Sequence, residues 1–128
     1  VMLRMVYQIK GVEKTALITD ALAGAASNET TAFDPRVIYE DGVCKLADRS
    51  ALAGSIATMD RLIRTMTLKA EVPFFDVIRM ISETPSKIMN VYDRKGSLAK
   101  GKDADILFID SNYDVVGVMA MGNIVKEF

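Results

Sequence analysis

The stretch "VMLRMVYQIKGVEKTALIT" at positions 1–19 limits the fold more than any other part of this chain. Met2, Met5, Val6 and Ile9 recur at the spacing of one helix face, and Gly11 follows where a helix end takes glycine. Thr15 to Thr19 is apolar through its centre, the pattern of a short strand buried on both faces. Helix, tight turn and buried strand form the repeating unit of α/β architecture. The expected fold class is therefore α/β.

That strand ends in Asp20, and a run of small residues, "ALAGA", comes next. In parallel α/β folds, sites gather where strands end, because the loops there vary freely. Asp20 has that address. A strand-end Asp also caps the following turn, and spacing leaves both readings open. Residues 20–34 read as a loop, long for a connection inside a compact domain.

Beyond it, "RVIYE" and "VCKLA" read as strands joined at Asp41-Gly42, a strong hairpin signal. "LAGS", Leu52 to Ser55, is expected to open a helix, with Ser55 as its cap and Ile56, Met59, Leu62, Ile63 and Met66 along one face. Small residues before a helix start admit a ligand close to the backbone, and the free N–H groups there attract oxygen atoms. The plainer reading is a Ser cap with tight packing. Pro73 fits the first turn of a second helix carrying Phe74, Val77, Ile78 and Ile81, and Thr84-Pro85 repeats the arrangement for a short third one running to about Val91. "DILFID", "YDVVGVMA" and "NIVKEF" then read as strands, the last two forming a hairpin that turns at Met121 to Asn123. Asp103 and Asp105 alternate onto one side of a strand, but they follow a Gly-Lys turn, so the reading is a solvated turn with Lys100 and Lys102 as surface charges.

Composition removes whole classes of chemistry. The 128 residues contain no histidine and one cysteine, Cys44. A zinc site of imidazole or thiolate ligands cannot be assembled from that inventory, and neither can a Ser-His-Asp or Cys-His nucleophile. Cys44 is read as inert packing in a reducing compartment. Catalysis by this chain must rest on carboxylate, Lys, Tyr or Ser. The net charge of −1, with scattered Lys and Arg, gives no reason to expect nucleic acid or a membrane as partner. The eight methionines fall at helix-core spacings and read as packing.

Four segments taken in order, "LITDALAGA", "LAGSIATMDRLIR", "ISETPSKIMNVYDRKGSLAKGKDADILFID" and "VMAMGNIV", resemble the C-terminal part of the N-acetylglucosamine-6-phosphate deacetylase family of the amidohydrolase superfamily. The third segment resembles a tail shared by many amidohydrolases. "TDA" followed by the later "LAGS" points to the sugar deacetylases. The resemblance covers essentially the whole chain. It implies the end of a (β/α)8 barrel over residues 1–91, with its last strand, an inserted hairpin and helices, followed by strands of a flanking β-sandwich over 92–128.

The resemblance further implies roles. Asp20 matches the family's Asp at the end of the last barrel strand, which takes a proton from a metal-bound water and returns it to the leaving amine. Leu52, Ala53, Gly54 and Ser55 match a loop lining the substrate site. The metal ligands, a Glu and a pair of His, belong to family segments upstream of anything matching Val1. The complete enzyme is thus expected to use a divalent metal, zinc or iron, with an amino-sugar phosphate as substrate, while this chain alone binds no metal and is inactive. A cytoplasmic location and a homo-oligomer are expected, since barrel-facing surfaces would be left bare. The alternatives are a non-catalytic structural or oligomerising piece, or the tail of another amidohydrolase.

Overall fold

Helix α1, Met2–Lys10, follows the apolar spacing of its residues in the computed structural model. That structure describes residues 1–25 and 34–126. The helix stops at Gly11, whose φ of +73° suits a residue without Cβ, and whose N–H reaches the Tyr7 carbonyl at 2.8 Å. A 3-10 turn, Val12–Lys14, follows.

The strand expected at Thr15 to Thr19 does not form. These residues join no sheet among the described residues, and Ile18 is 70% exposed. A strand exists only through the hydrogen bonds of a neighbour, and the segment's one backbone tie is from the Leu17 N–H to the Met80 carbonyl, at 2.9 Å.

The described chain divides into two compact units, Ile18–Leu62 and Val1–Leu17 with Ile63–Phe128. The first holds an antiparallel sheet in the order β1-β2-β3, with β1 at Val37–Glu40, β2 at Val43–Leu46 and β3 at Leu52–Gly54. The hairpin turn is the expected Asp41-Gly42, with φ of +54° and +71°, the mirror-image turn that matches strand twist. "LAGS" departs from expectation. Leu52, Ala53 and Gly54 form β3, paired to β2, and open no helix. Ser55 caps a local turn, its Oγ accepting the Ala57 N–H at 3.0 Å, and helix α2 begins later, at Met59–Arg64. Pairing with β2 outweighs the capping signal, because β2 presents a free edge to the segment that follows it. The expected loop 20–34 lies outside the described residues between 26 and 33.

The second unit carries the core. Ile63, Met66, Ala70, Val72, Val77 and Met80 are buried together, with Tyr7, Val12, Leu17, Phe74 and Tyr113 packed around them. Past α2 the chain widens into a π turn, Thr65–Lys69, before α3 at Phe74–Ile81 and α4 at Glu83–Ile88. Pro73 stands immediately before α3, as its fixed φ allows. Thr84 is buried and donates to the Val12 carbonyl at 2.9 Å, tying α4 to the 3-10 turn. The sheet β4-β5-β6 (Ile106–Ile109, Val115–Ala120, Asn123–Lys126) is antiparallel throughout. Residues 127–128 of the expected last strand lie outside the described residues.

One charged residue differs from expectation, and the acidic pair beside it has partners. Lys102 is no free surface charge: its ammonium lies 3.5 Å from the Tyr92 ring centroid and donates to the Tyr92 and Lys95 carbonyls. Asp103 pairs with Arg94 at 2.7 Å and with Lys95 at 3.0 Å, and Asp105 also pairs with Lys95. Lys95 is the largest cause lowering both carboxyl pKa values, so this acidic pair is committed to holding the turn.

Glu83 gives the unit an acid-sensitive joint. Lys87 at 2.6 Å and Arg79 at 2.9 Å grip its two oxygens. Lys87 first, then Arg79, hold its pKa at about 2, down from 4.5. A depressed carboxylate stabilises the fold above its unfolded pKa and loses that contribution as pH falls through the folded value. The melting temperature of Glu83→Gln should therefore lie below that of the parent at neutral pH, and the gap should close between pH 4.5 and about 2. Melting curves that stay equally separated across that range would remove Glu83 as the cause.

Candidate functional site

Asp20 is exposed and takes a φ of +47°, a left-handed conformation that Asp tolerates better than most residues. Among the described residues it makes no hydrogen bond or ion pair, unlike the other acids of its unit. Asp34 is held by Arg36 at a pKa of about 2, and Glu40 by Arg49 and then Lys45 at about 2. Asp41 pairs with Lys45 and Asp48 accepts from Ser50. Among the described acids of this unit, Asp20 is the one without a partner.

The structure brings that acid beside "LAGS". Ala21 forms a parallel bridge with Ser55, and the Leu22 N–H donates to the Ser55 carbonyl at 2.8 Å. The segment carrying Asp20 thus runs alongside the end of β3, although the sequence suggested only that both lay near a site. Leu22 packs on Gly54, where a Cβ would lie 2.8 Å from its Cδ1 and 2.9 Å from its Cγ. A turn follows, closed by the Ala25 N–H on the Leu22 carbonyl at 2.9 Å. Gly24 then meets Tyr39: a Cβ there would collide with the hydroxyl and lie 2.8 Å from Cζ.

Sequence reasoning passed over Tyr39 and Leu22. The available signal was the alternation of bulk and absence of bulk in "LAGA", which is the pattern of a segment laid against another backbone. Cys44, by contrast, is fully buried, as read.

Metal donors are a separate matter. The whole sequence has no histidine, Cys44 is sealed, and no group of three His, Cys, Asp or Glu side chains converges among the described residues. The described residues of this chain do not fit a metal site.

The family model described as "Amidohydrolase family" matches residues 11–125. The chain belongs to the amidohydrolase family. Among curated proteins, this amidohydrolase chain is 31% identical to the N-acetylglucosamine-6-phosphate deacetylase of Bacillus subtilis (strain 168), over 94% of its own length and 31% of that protein's. It is 27% identical to the N-acetylgalactosamine-6-phosphate deacetylase of Shewanella sp. (strain ANA-3), over 94% of its length and 31% of that relative's. The crystal structure of N-acetylglucosamine-6-phosphate deacetylase from Pasteurella multocida superposes with a TM-score of 0.88 at 26% identity, covering 98% of this chain and 33% of that one. The chain spans about a third of the length of these relatives. Its fold is that of the C-terminal part of an amidohydrolase (β/α)8 barrel, followed by strands of the flanking β-sandwich. Among the described residues, no helix is long and apolar enough to cross a membrane.

Proposed function

We propose that this amidohydrolase chain is the C-terminal portion of an enzyme removing the acetyl group from N-acetylglucosamine 6-phosphate, and that residues 1–91 close its barrel while 92–128 belong to the β-sandwich. Asp20 is its proton-transfer residue, and the segment Leu52, Ala53, Gly54 and Ser55 lines the sugar site. The observation that carries this reading is the Ala21–Ser55 bridge, which sets an exposed, unpartnered carboxylate beside a backbone of small residues.

Hydrolysis of an amide asks for one proton to be moved twice. Water must lose it while adding to the acetyl carbonyl, and the amine must gain it to leave. One carboxylate in reach of both atoms can do this, first as base and then as acid. Asp20 can accept the proton because no cation in the described structure competes for its oxygens. Amidohydrolases are in general metal-dependent, and a divalent ion, zinc or iron, would be held by donors outside these 128 residues.

Acetate release decides the matter. The polypeptide carrying this chain, supplied with zinc or iron(II), should deacetylate N-acetylglucosamine 6-phosphate faster than its galactosamine epimer, and residues 1–128 alone should release none. Faster turnover of the epimer would move the substrate to the galactosamine series, and no release from either sugar by the longer polypeptide would overturn the reading.

A homo-oligomer is the proposed state of the chain. In α1, Met2 is 77% exposed, Met5 50% and Ile9 74%, an apolar stripe with nothing covering it in the described structure. Sedimentation at micromolar concentration should show a dimer or larger species. A monomer there would contradict this assignment.

A further inference from the structure

We infer that the β1–β3 sheet is the seat of the Asp20 loop and that Tyr39 is its positioning residue, fitted against the backbone of Gly24. The link to catalysis rests on the deacetylase reading, but the seating does not.

The sheet register supplies the reason. Tyr39 stands opposite Cys44, and Cys44 opposite Gly54, so the three form one row across the strands. Paired residues of an antiparallel sheet point to the same face. The loop crosses that row at both ends. Leu22 fills the space a Gly54 side chain would take, and Gly24 leaves room for the Tyr39 hydroxyl end. Cys44, in the middle, is fully buried.

Bulk and notch alternate between the two partners: Leu22 is the knob on one side and Tyr39 on the other. A loop held this way at Leu22 and Gly24 has little freedom left at Ala21, where the backbone bridge to Ser55 lies. Asp20 is the next residue back. Its left-handed φ, unusual outside glycine, is a conformation that persists when the surroundings impose it. Asp20 makes no side-chain bond among the described residues, so its position is set by the backbone that follows it. Tyr39 acts on the reaction only through that backbone.

The test is a double-mutant cycle on Gly24→Ala and Tyr39→Ala in the polypeptide that carries this chain. Two quantities are read: hydrogen exchange at the Leu22 amide, and kcat with KM for N-acetylglucosamine 6-phosphate. Gly24→Ala should speed Leu22 exchange by about tenfold, as local opening of a seated loop does, while the Leu17 amide on Met80 stays protected. It should lower kcat by about tenfold at unchanged KM, since misplacing a reacting group is costly even at small displacements. In the Tyr39→Ala background the same change should alter either quantity by no more than about twofold, because the bulk it meets is gone.

Equal effects of Gly24→Ala in both backgrounds would overturn the fit between the two residues. Faster exchange with unchanged kcat would overturn the role in placing Asp20. If Gly24→Ala also releases Leu17, Tyr39→Ala alone serves, with the same rise at Leu22 expected and its absence decisive against the seat. A parent polypeptide that releases no acetate counts against the deacetylase reading, and the exchange cycle then decides the seating by itself.

Discussion

Asp20→Asn should lower kcat for deacetylation by about 10²–10⁴-fold in the polypeptide carrying this chain, with KM nearly unchanged. The substitution is chosen to remove one property only. Asn has the shape of Asp and tolerates the left-handed region about as well, so the φ of +47° costs it no more. Asp20 is exposed and makes no hydrogen bond or ion pair among the described residues, so no contact is broken and thermal stability should not move. On the proposed deacetylase reading, what is lost is the ability to take a proton from water and give it to the leaving amine. An effect on kcat alone is the signature of a group acting in the transition state. Steady-state kinetics of acetate release checks this, and an Asn variant within about tenfold of the parent would remove Asp20 from the proton path.

Met80→Ala is expected to destabilise the helical unit by about 3 kcal/mol. Met80 is fully buried on α3, packed with Ile63, Met66, Ala70, Val72 and Val77. Truncating it removes apolar contacts and leaves a cavity that the surrounding helices fill only in part. A domain of this size is stable by only about 5–15 kcal/mol, so one side chain carries a sizeable share. Its melting temperature should fall by roughly 10 °C, since about 1 kcal/mol corresponds to several degrees at this size. Phe75, 79% exposed on the same helix, provides the contrast, and Phe75→Ala should change the melting temperature little. Equal shifts for the two variants would mean that the buried cluster is not what holds the unit.

Much of the local structure was legible before any coordinates. Gly11 ends α1, Asp41-Gly42 turns the hairpin, Pro73 precedes α3, and Thr84-Pro85 opens α4. Each of these rests on the backbone preference of one or two residues, which travels with the sequence. Cys44 was legible as packing because a lone cysteine is usually buried, and periodicity placed Val77 on the buried face of α3, although it passed over Met80. The address read for Asp20, the end of a buried strand, did not appear, since Thr15 to Thr19 joins no sheet among the described residues.

The misreadings share one cause. Thr15 to Thr19 has the composition of a buried strand and forms none, while "LAGS" has the composition of a helix start and forms β3. Lys102 was read as a surface charge and lies against Tyr92 and two carbonyls. In each case the outcome depends on a partner distant in the chain. The sequence by itself determined the Asp41-Gly42 turn, the end of α1 at Gly11, the place of Pro73 before α3 and the exclusion of histidine chemistry, because these are properties of single residues and their spacing. Only the tertiary structure decided which segments pair as strands, that Asp20 lies beside Ser55, and that Gly24 meets Tyr39. A strand or a site is a relation between segments, and its free energy exists only once loop closure has brought them together.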